Sequence, residues 1–270
     1  MQWEHLTAPD FAKAVEQTGV CILALGVLER HSDHLPLGTD MLTSHKTACL
    51  AARQEPAVVF PPWYFGQIYE ARCFPGCLTL KPTLLIELLQ GVLDEIGRNG
   101  FRKIILYNGH GGNTHLLAFL AQCSLWERKP YSVYLQRDWL TPERREQKRA
   151  LLETAFHGHA CECETSMMLA NYPELVKMDA VPAQPADPLH RAAGIPLGYA
   201  GISWYADHPE HYAGDARSAT AAKGFALRDL EIATLVEFIA AVKADLVLPA
   251  LEDEFFKREA ALRAPTEGDL

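Results

Sequence analysis

Short, unbroken apolar runs alternate along this chain with longer segments whose apolar residues recur every three or four positions. That alternation predicts strands interleaved with helices. The first run, Val20 to Leu28 (VCILALGVL), has the length and β-branched start of a buried strand. A polar, Pro-containing loop follows from Glu29 to Thr39, and Thr39 or Asp40 can cap a helix over Met41–Arg53. Val58–Phe60 reads as a short strand closed by Pro61 and Pro62. Trp63–Leu80, rich in aromatics, Gly and Pro, reads as a loop returning to a strand near Leu78.

Thr83–Arg98 places Leu84, Leu85, Leu88, Leu89, Val92 and Ile96 at helical spacing, with Gly100 as a stop. Lys103–Tyr107 is a further buried strand, Thr114–Leu125 an apolar helix, Tyr131–Leu135 a strand and Thr141–Phe156 a charged helix. A helix is expected over Ala160–Ala170, an extended loop near the active site over Asp179–Ala200, and a long helix over Ala219–Val247. The residues after Glu252 form a charged tail that can fray. The alternation favours one α/β domain with a largely parallel sheet.

Composition narrows the class only a little. With 270 residues, 49% of them hydrophobic, the chain can build one large core. A formal charge of −9 argues against a nucleic-acid partner. Met1–Val20 contains Glu4, Asp10 and Glu16 without a basic lead, so no signal peptide is expected, and no apolar run is long enough for a membrane span. Seven scattered cysteines suit reduced thiols and a cytoplasmic location better than a disulfide framework.

Three polar clusters carry candidate chemistry, each after a buried strand or at a helix start, where sites form in open α/β sheets. In LERHSDHLPLGTD, Glu29, His31, His34 and Asp40 are donors that suit zinc, manganese or iron, and a carboxylate such as Asp40 can bridge two ions. The bland alternative is a solvated loop with helix-capping residues. In NGHGGNTH, Asn108, His110, Asn113 and His115 surround glycines that allow a close backbone approach; a phosphate-cradling loop lacks its Lys and Ser/Thr here. In HGHACECETS, His157, His159, Glu162 and Glu164 can supply a ligand and a general acid/base. Cys161 and Cys163 read as core residues, and Glu162 equally as a carboxylate favoured by the helix dipole.

Together these segments resemble the creatininase family. LERHSDHLPLGTD is similar to its first signature, NGHGGN to its second and HACECETS to its third. Phe74–Gly76 and GDARSATAAKG from Gly214 match two weaker segments, in the family's order. The resemblance implies a single-domain layered α/β sandwich over residues 1–250, a charged tail over 251–270, and assembly into homo-oligomers such as hexamers. It further implies two divalent metal ions, zinc first with manganese or iron as alternatives. Glu29 and His110 would hold one ion, His31 the other, Asp40 would bridge, Glu164 would complete the set, and His159 would be the catalytic acid/base. Glu164 would also share in catalysis.

The implied function is a metal-dependent amidohydrolase acting on a cyclic amide or formamide through metal-activated water, with a small-molecule amide as substrate. The departures are Gly112, where creatininase proper has a second-site Glu, and Arg30, Ser32, Ala71 and Cys161 around the pocket. Gly112 leaves open a weaker second site, or a non-catalytic metal- or nucleotide-binding relative. If the substrate carries a phosphate, Arg30, Arg72 and Arg217 are the candidate cationic contacts.

Overall fold

The computed structural model describes residues 1–195 and 198–263. Four parallel strands form the central sheet: β1 (Val20–Leu25), β2 (Val58–Val59), β3 (Lys103–Asn108) and β4 (Ser132–Gln136), in the order β2-β1-β3-β4. All six residues of β1 are buried, as expected for a strand covered on both faces, so it reads as a continuous apolar run. Alternate side chains divide between two cores. Cys21, Leu23 and Leu25 pack with Leu85, Leu89 and Leu93 of α3 (Pro82–Arg98) and Leu117 and Leu120 of α4 (Thr114–Cys123). Val20, Ile22 and Ala24 face Ala48, Ala51 and Ala52 of α2 (Thr39–Gln54) and Leu235 and Ile239 of α8 (Ala221–Ala244).

The result is a three-layer α/β sandwich, with α6 (Glu162–Asn171) packed outside against α8. The expected main-sheet strands and the helices over residues 41–53 and 83–98 are present within a few residues. Near Leu78 there is only an isolated bridge to Leu28.

Three differences have identifiable causes. An unforeseen first helix, α1 (Ala8–Thr18), is capped by the Thr7 hydroxyl, carries Pro9 in its first turn and stops at Gly19 with φ 61°. The charged helix α5 (Pro142–Leu151) stops five residues early. The Glu162 carboxylate accepts the Glu153 and Thr154 N–H groups and turns the chain toward β5 (His157–His159). β5 pairs with β6 (Ala213–Gly214) as a small antiparallel sheet. The charged segment after residue 250 continues a helix, α9 (Val247–Arg263); residues 264–270 of the expected tail lie outside the described residues.

The loop expected over Asp179–Ala200 contains one short turn of 3₁₀ helix and is followed by α7 (Ser203–Asp207); residues 196–197 lie outside the description. No helix among the described residues is long and apolar enough to cross a membrane. All seven cysteines are free.

Candidate metal centre

The carboxyl ends of β1 and β3 open into a cavity of about 980 Å³, and the charged motif residues gather on its floor. Glu29 and His31 follow β1, while Asp40 sits in the first turn of α2. That turn rides directly over Gly26: a Cβ there would lie 2.2 Å from the Met41 nitrogen, so glycine is what lets the helix start come down to the strand end. His110 leaves β3, its backbone N–H held at 3.1 Å by the Asn108 side chain. His159 ends β5, and Glu164 lies in the first turn of α6.

Five of these six are buried, and Glu164 presents a third of its side chain to the cavity. Their donor atoms form three overlapping groups, each within 4.8 Å: Glu29–Asp40–His110, His31–Asp40–Glu164 and Glu29–His31–His159. Asp40 joins the first two through different oxygens. Its Oδ2 is 2.8 Å from His110 Nδ1 and its Oδ1 is 3.0 Å from His31 Nε2.

Each imidazole turns its other nitrogen to a backbone carbonyl. His110 Nε2 reaches the Gln67 oxygen at 3.0 Å, His31 Nδ1 the Glu29 oxygen at 3.2 Å and His159 Nε2 the Arg30 oxygen at 2.8 Å. A carbonyl only accepts, so these nitrogens donate, and the inner nitrogens face the carboxylates, where each can hold a proton or, having released it, offer a lone pair to a cation. Glu29 Oε1 and Asp40 Oδ2 are buried without a hydrogen-bond partner, although His110 Nδ1 lies 2.9 Å and 2.8 Å away. Atoms this close that do not point at one another share a focus, which is the arrangement a cation requires. The donor set of imidazoles and carboxylates fits a borderline or hard divalent ion.

The electrostatics agree. Burial opposes a charge on His31, but Asp40, Glu29 and Glu164 overcome it and lift the ring to about 10. The same opposition is overcome at His110, which rises well above its ordinary value beside Glu29 and Asp40. Burial pushes Asp40 up, yet the two histidines hold it far below the usual carboxylate range. Protons on these rings occupy the place of positive charge. His159 behaves oppositely: burial, with His31 nearby, lowers it to about 4, leaving a neutral imidazole. Enclosure pushes Glu164 up.

Other motif residues serve the fold. His34 bonds the Thr165 hydroxyl at 2.9 Å, away from the cluster. Glu162 is fully buried and satisfied by Thr154, the Glu153 N–H and Lys223, so it is neither a ligand nor a solvated helix-start carboxylate. Asn113 Oδ1 accepts the Gln67 N–H, and the exposed His115 lines the cavity rim. At Gly112 a Cβ would lie 2.5 Å from His110 Nε2 and 2.7 Å from the Gln67 oxygen, so Gln67 fills the space a side chain would take.

His211 stands out as an addition to the site. It is buried at φ 50°, neither ring nitrogen has a hydrogen-bond partner, and Nδ1 lies 3.8 Å from Glu29 Oε2. Of the four non-glycine residues with positive φ among the described residues, three (Ser32, Ala160 and His211) border the cluster. Such strain persists only where the surroundings impose it. The phosphate contacts considered above are not on the cavity wall. Arg30 pairs with Asp33 and Glu210, Arg217 pairs with Asp215, and Arg72 is exposed elsewhere.

The profile of a family described as creatininase, creatinine amidohydrolase, matches residues 4–239. The chain belongs to the creatininase family. It is 28% identical to creatinine amidohydrolase of Pseudomonas putida over 183 residues (62% of this chain, 70% of that one). It is 26% identical to 3-dehydro-scyllo-inosose hydrolase of Thermotoga maritima over 240 residues (82% and 76%). To the mycofactocin precursor peptide peptidase of Mycobacterium ulcerans it is 28% identical over 216 residues (75% and 77%).

Three creatininase structures, one of them a zinc–zinc form and one a manganese form, share the fold with TM-scores of 0.78, 0.77 and 0.77. Each is 23% identical, covering 90% of this chain and 98%, 98% and 99% of theirs. The protein is therefore a hydrolase with the creatininase fold.

Proposed function

We propose that this creatininase-family amidohydrolase is metal-dependent and cleaves the C–N bond of a small cyclic amide or a formamide. Glu29, His110 and Asp40 would hold one divalent ion and His31, Asp40 and Glu164 a second. Asp40 offering one oxygen to each set is the observation that carries the reading. Zinc is the first candidate, with manganese or iron as alternatives, and the zinc–zinc and manganese creatininases support that choice. Two such ions lower the pKa of bound water and polarise a carbonyl.

The remaining chemistry belongs to the chain. His159 donates from Nε2 to the Arg30 carbonyl, which leaves Nδ1 as the base facing the cluster. Its low proton affinity keeps it neutral near pH 7, ready to take a proton from the attacking water. Glu164 Oε2, 4.0 Å from Nδ1, favours the imidazolium so formed, which then protonates the departing nitrogen. That second transfer matters because an unprotonated amide nitrogen leaves poorly. Gly112 does not argue for a non-catalytic relative, since Gln67 fills that position and orients His110.

A homo-oligomer in the cytoplasm is part of the same reading. Leu246, Val247, Leu248, Leu251 and Phe255 form an exposed apolar series at and beside α9 that a second copy could cover.

The test is turnover on cyclic amides, formamides and short peptides by the purified protein, after chelation, and after restoring zinc or manganese. Activity on a cyclic amide or formamide, lost on chelation and restored by metal, is expected. Chelator-insensitive turnover, or none from metal-loaded protein, would overturn the assignment.

A further inference from the structure

The cavity extends past the carboxylate–histidine cluster to a second wall made by Tyr107, Lys148, Cys163 and Glu231. Lys148 is the one lysine or arginine lining the cavity among the described residues. Its helix, α5, is strongly basic, and the other bases face outward into ion pairs: Arg144 with Glu237, Arg145 with Asp138 and Arg149 with Glu146. Lys148 forms no salt bridge among the described residues; burial opposes its charge, but the Cys163 and Glu231 side chains beside it outweigh that burial and raise it above its ordinary value, so it stays a cation. Glu231 is occupied by the Tyr107 hydroxyl at 3.3 Å. An ammonium that lines a cavity and forms no salt bridge keeps N–H donors available to a ligand's negative charge.

Resting on the reading of the cluster as the reaction centre, we propose that Lys148 is the specificity contact of this cavity. It receives a carboxylate at the far end of a substrate whose scissile C–N bond lies at Glu29, Asp40 and His110. One ammonium on this wall matches the single negative charge of a carboxylate. The Tyr107 hydroxyl holds one oxygen of Glu231, and burial pushes the Glu231 carboxyl up, toward a form that can share a hydrogen with an incoming carboxylate. The preferred substrates are thus amides that carry an acid remote from the bond being cut.

Binding of a homologous series tests this without knowing the substrate. Straight-chain hydroxamates with a terminal carboxylate, from malonic to adipic, are compared with their methyl esters on metal-loaded protein by calorimetry. The hydroxamate engages the metals, and chain length sets whether the acid meets Lys148. A charge-assisted contact predicts that the best-fitting acid binds at least about tenfold tighter than its ester. In Lys148→Met that preference should disappear while metal content and ester affinity stay at wild-type values; Lys148→Arg should retain it. No preference at any length, or the same preference in Lys148→Met, overturns the proposal. If neither acids nor esters bind metal-loaded protein, the reaction centre itself is misplaced, and the inference falls with it.

Discussion

Whether a buried histidine in this cavity holds a proton depends on how close it lies to the carboxylates. His31 and His110 lie within 3.0 Å of Asp40 and rise above their ordinary value, whereas His159, 3.9 Å from Glu29 Oε1, falls to about 4. In the proposed function, that division gives metal ligation to the first two and proton transfer to the third. His159→Gln should therefore lower kcat by roughly 10²–10⁴-fold, the range for losing a general acid/base, with metal content unchanged. Steady-state kinetics beside elemental analysis checks it, and loss of metal in that variant would recast His159 as a ligand.

Gly112→Ala should weaken metal retention and destabilise by about 1–3 kcal/mol, as overpacking does, because the new Cβ meets the His110 ring. Thermal unfolding with and without metal reads both effects. Glu29, His31, Asp40, His110, His159 and Glu164 could be named from sequence because they sit in contiguous motifs. Lys148 could not: on α5 it is one of four bases on a polar helix, and only tertiary placement turns it inward.

At the level of elements, burial decided what could be read. β1 and β3 are covered on both faces, so their apolar runs announce them, and α3 repeats its leucines every turn. α1 was legible from Thr7, Pro9 and Gly19 and from Phe11, Ala14 and Val15, which recur at helical spacing and pack on the core. The early end of α5 was not legible, because the cause lies eleven residues beyond Leu151, in the Glu162 carboxylate. Glu162 and Glu164 are two apart on α6 and so face different ways: one anchors the turn and Lys223, the other enters the cavity.

Removing that anchor should cost stability rather than chemistry. Glu162→Ala removes the acceptor of two backbone N–H groups and of the Thr154 hydroxyl, while Lys223 keeps Glu153 and the Ser218 carbonyl, so the expected loss is about 1–3 kcal/mol, the cost of leaving buried donors unpaired. Urea unfolding measures this. Full stability in the variant would show that the turn holds without the carboxylate.

Across the whole molecule, the sandwich delivers ligands from four separate segments to one cavity, so metal binding and protonation are linked. His31 is lifted to about 10, so at pH 7 it binds a proton in the metal-free fold that it must release to a metal, and His110 is raised in the same direction by Glu29 and Asp40. Apparent metal affinity should accordingly rise with pH through the neutral range. Calorimetry in buffers of different ionisation enthalpy should detect proton release, and affinity independent of pH would contradict the charge pattern.

The exposed apolar series near α9 is the surface on which the proposed homo-oligomer would form, and light scattering tests that assembly directly. The most direct test of the account is metal content per chain, by elemental analysis of protein purified without chelators, with Asp40→Ala alongside. About two divalent ions per chain, both lost or greatly weakened in Asp40→Ala, is the result that follows from a carboxylate shared between two donor sets. A wild-type chain that takes up no zinc, manganese or iron, or an Asp40→Ala chain that keeps its full complement, would contradict it.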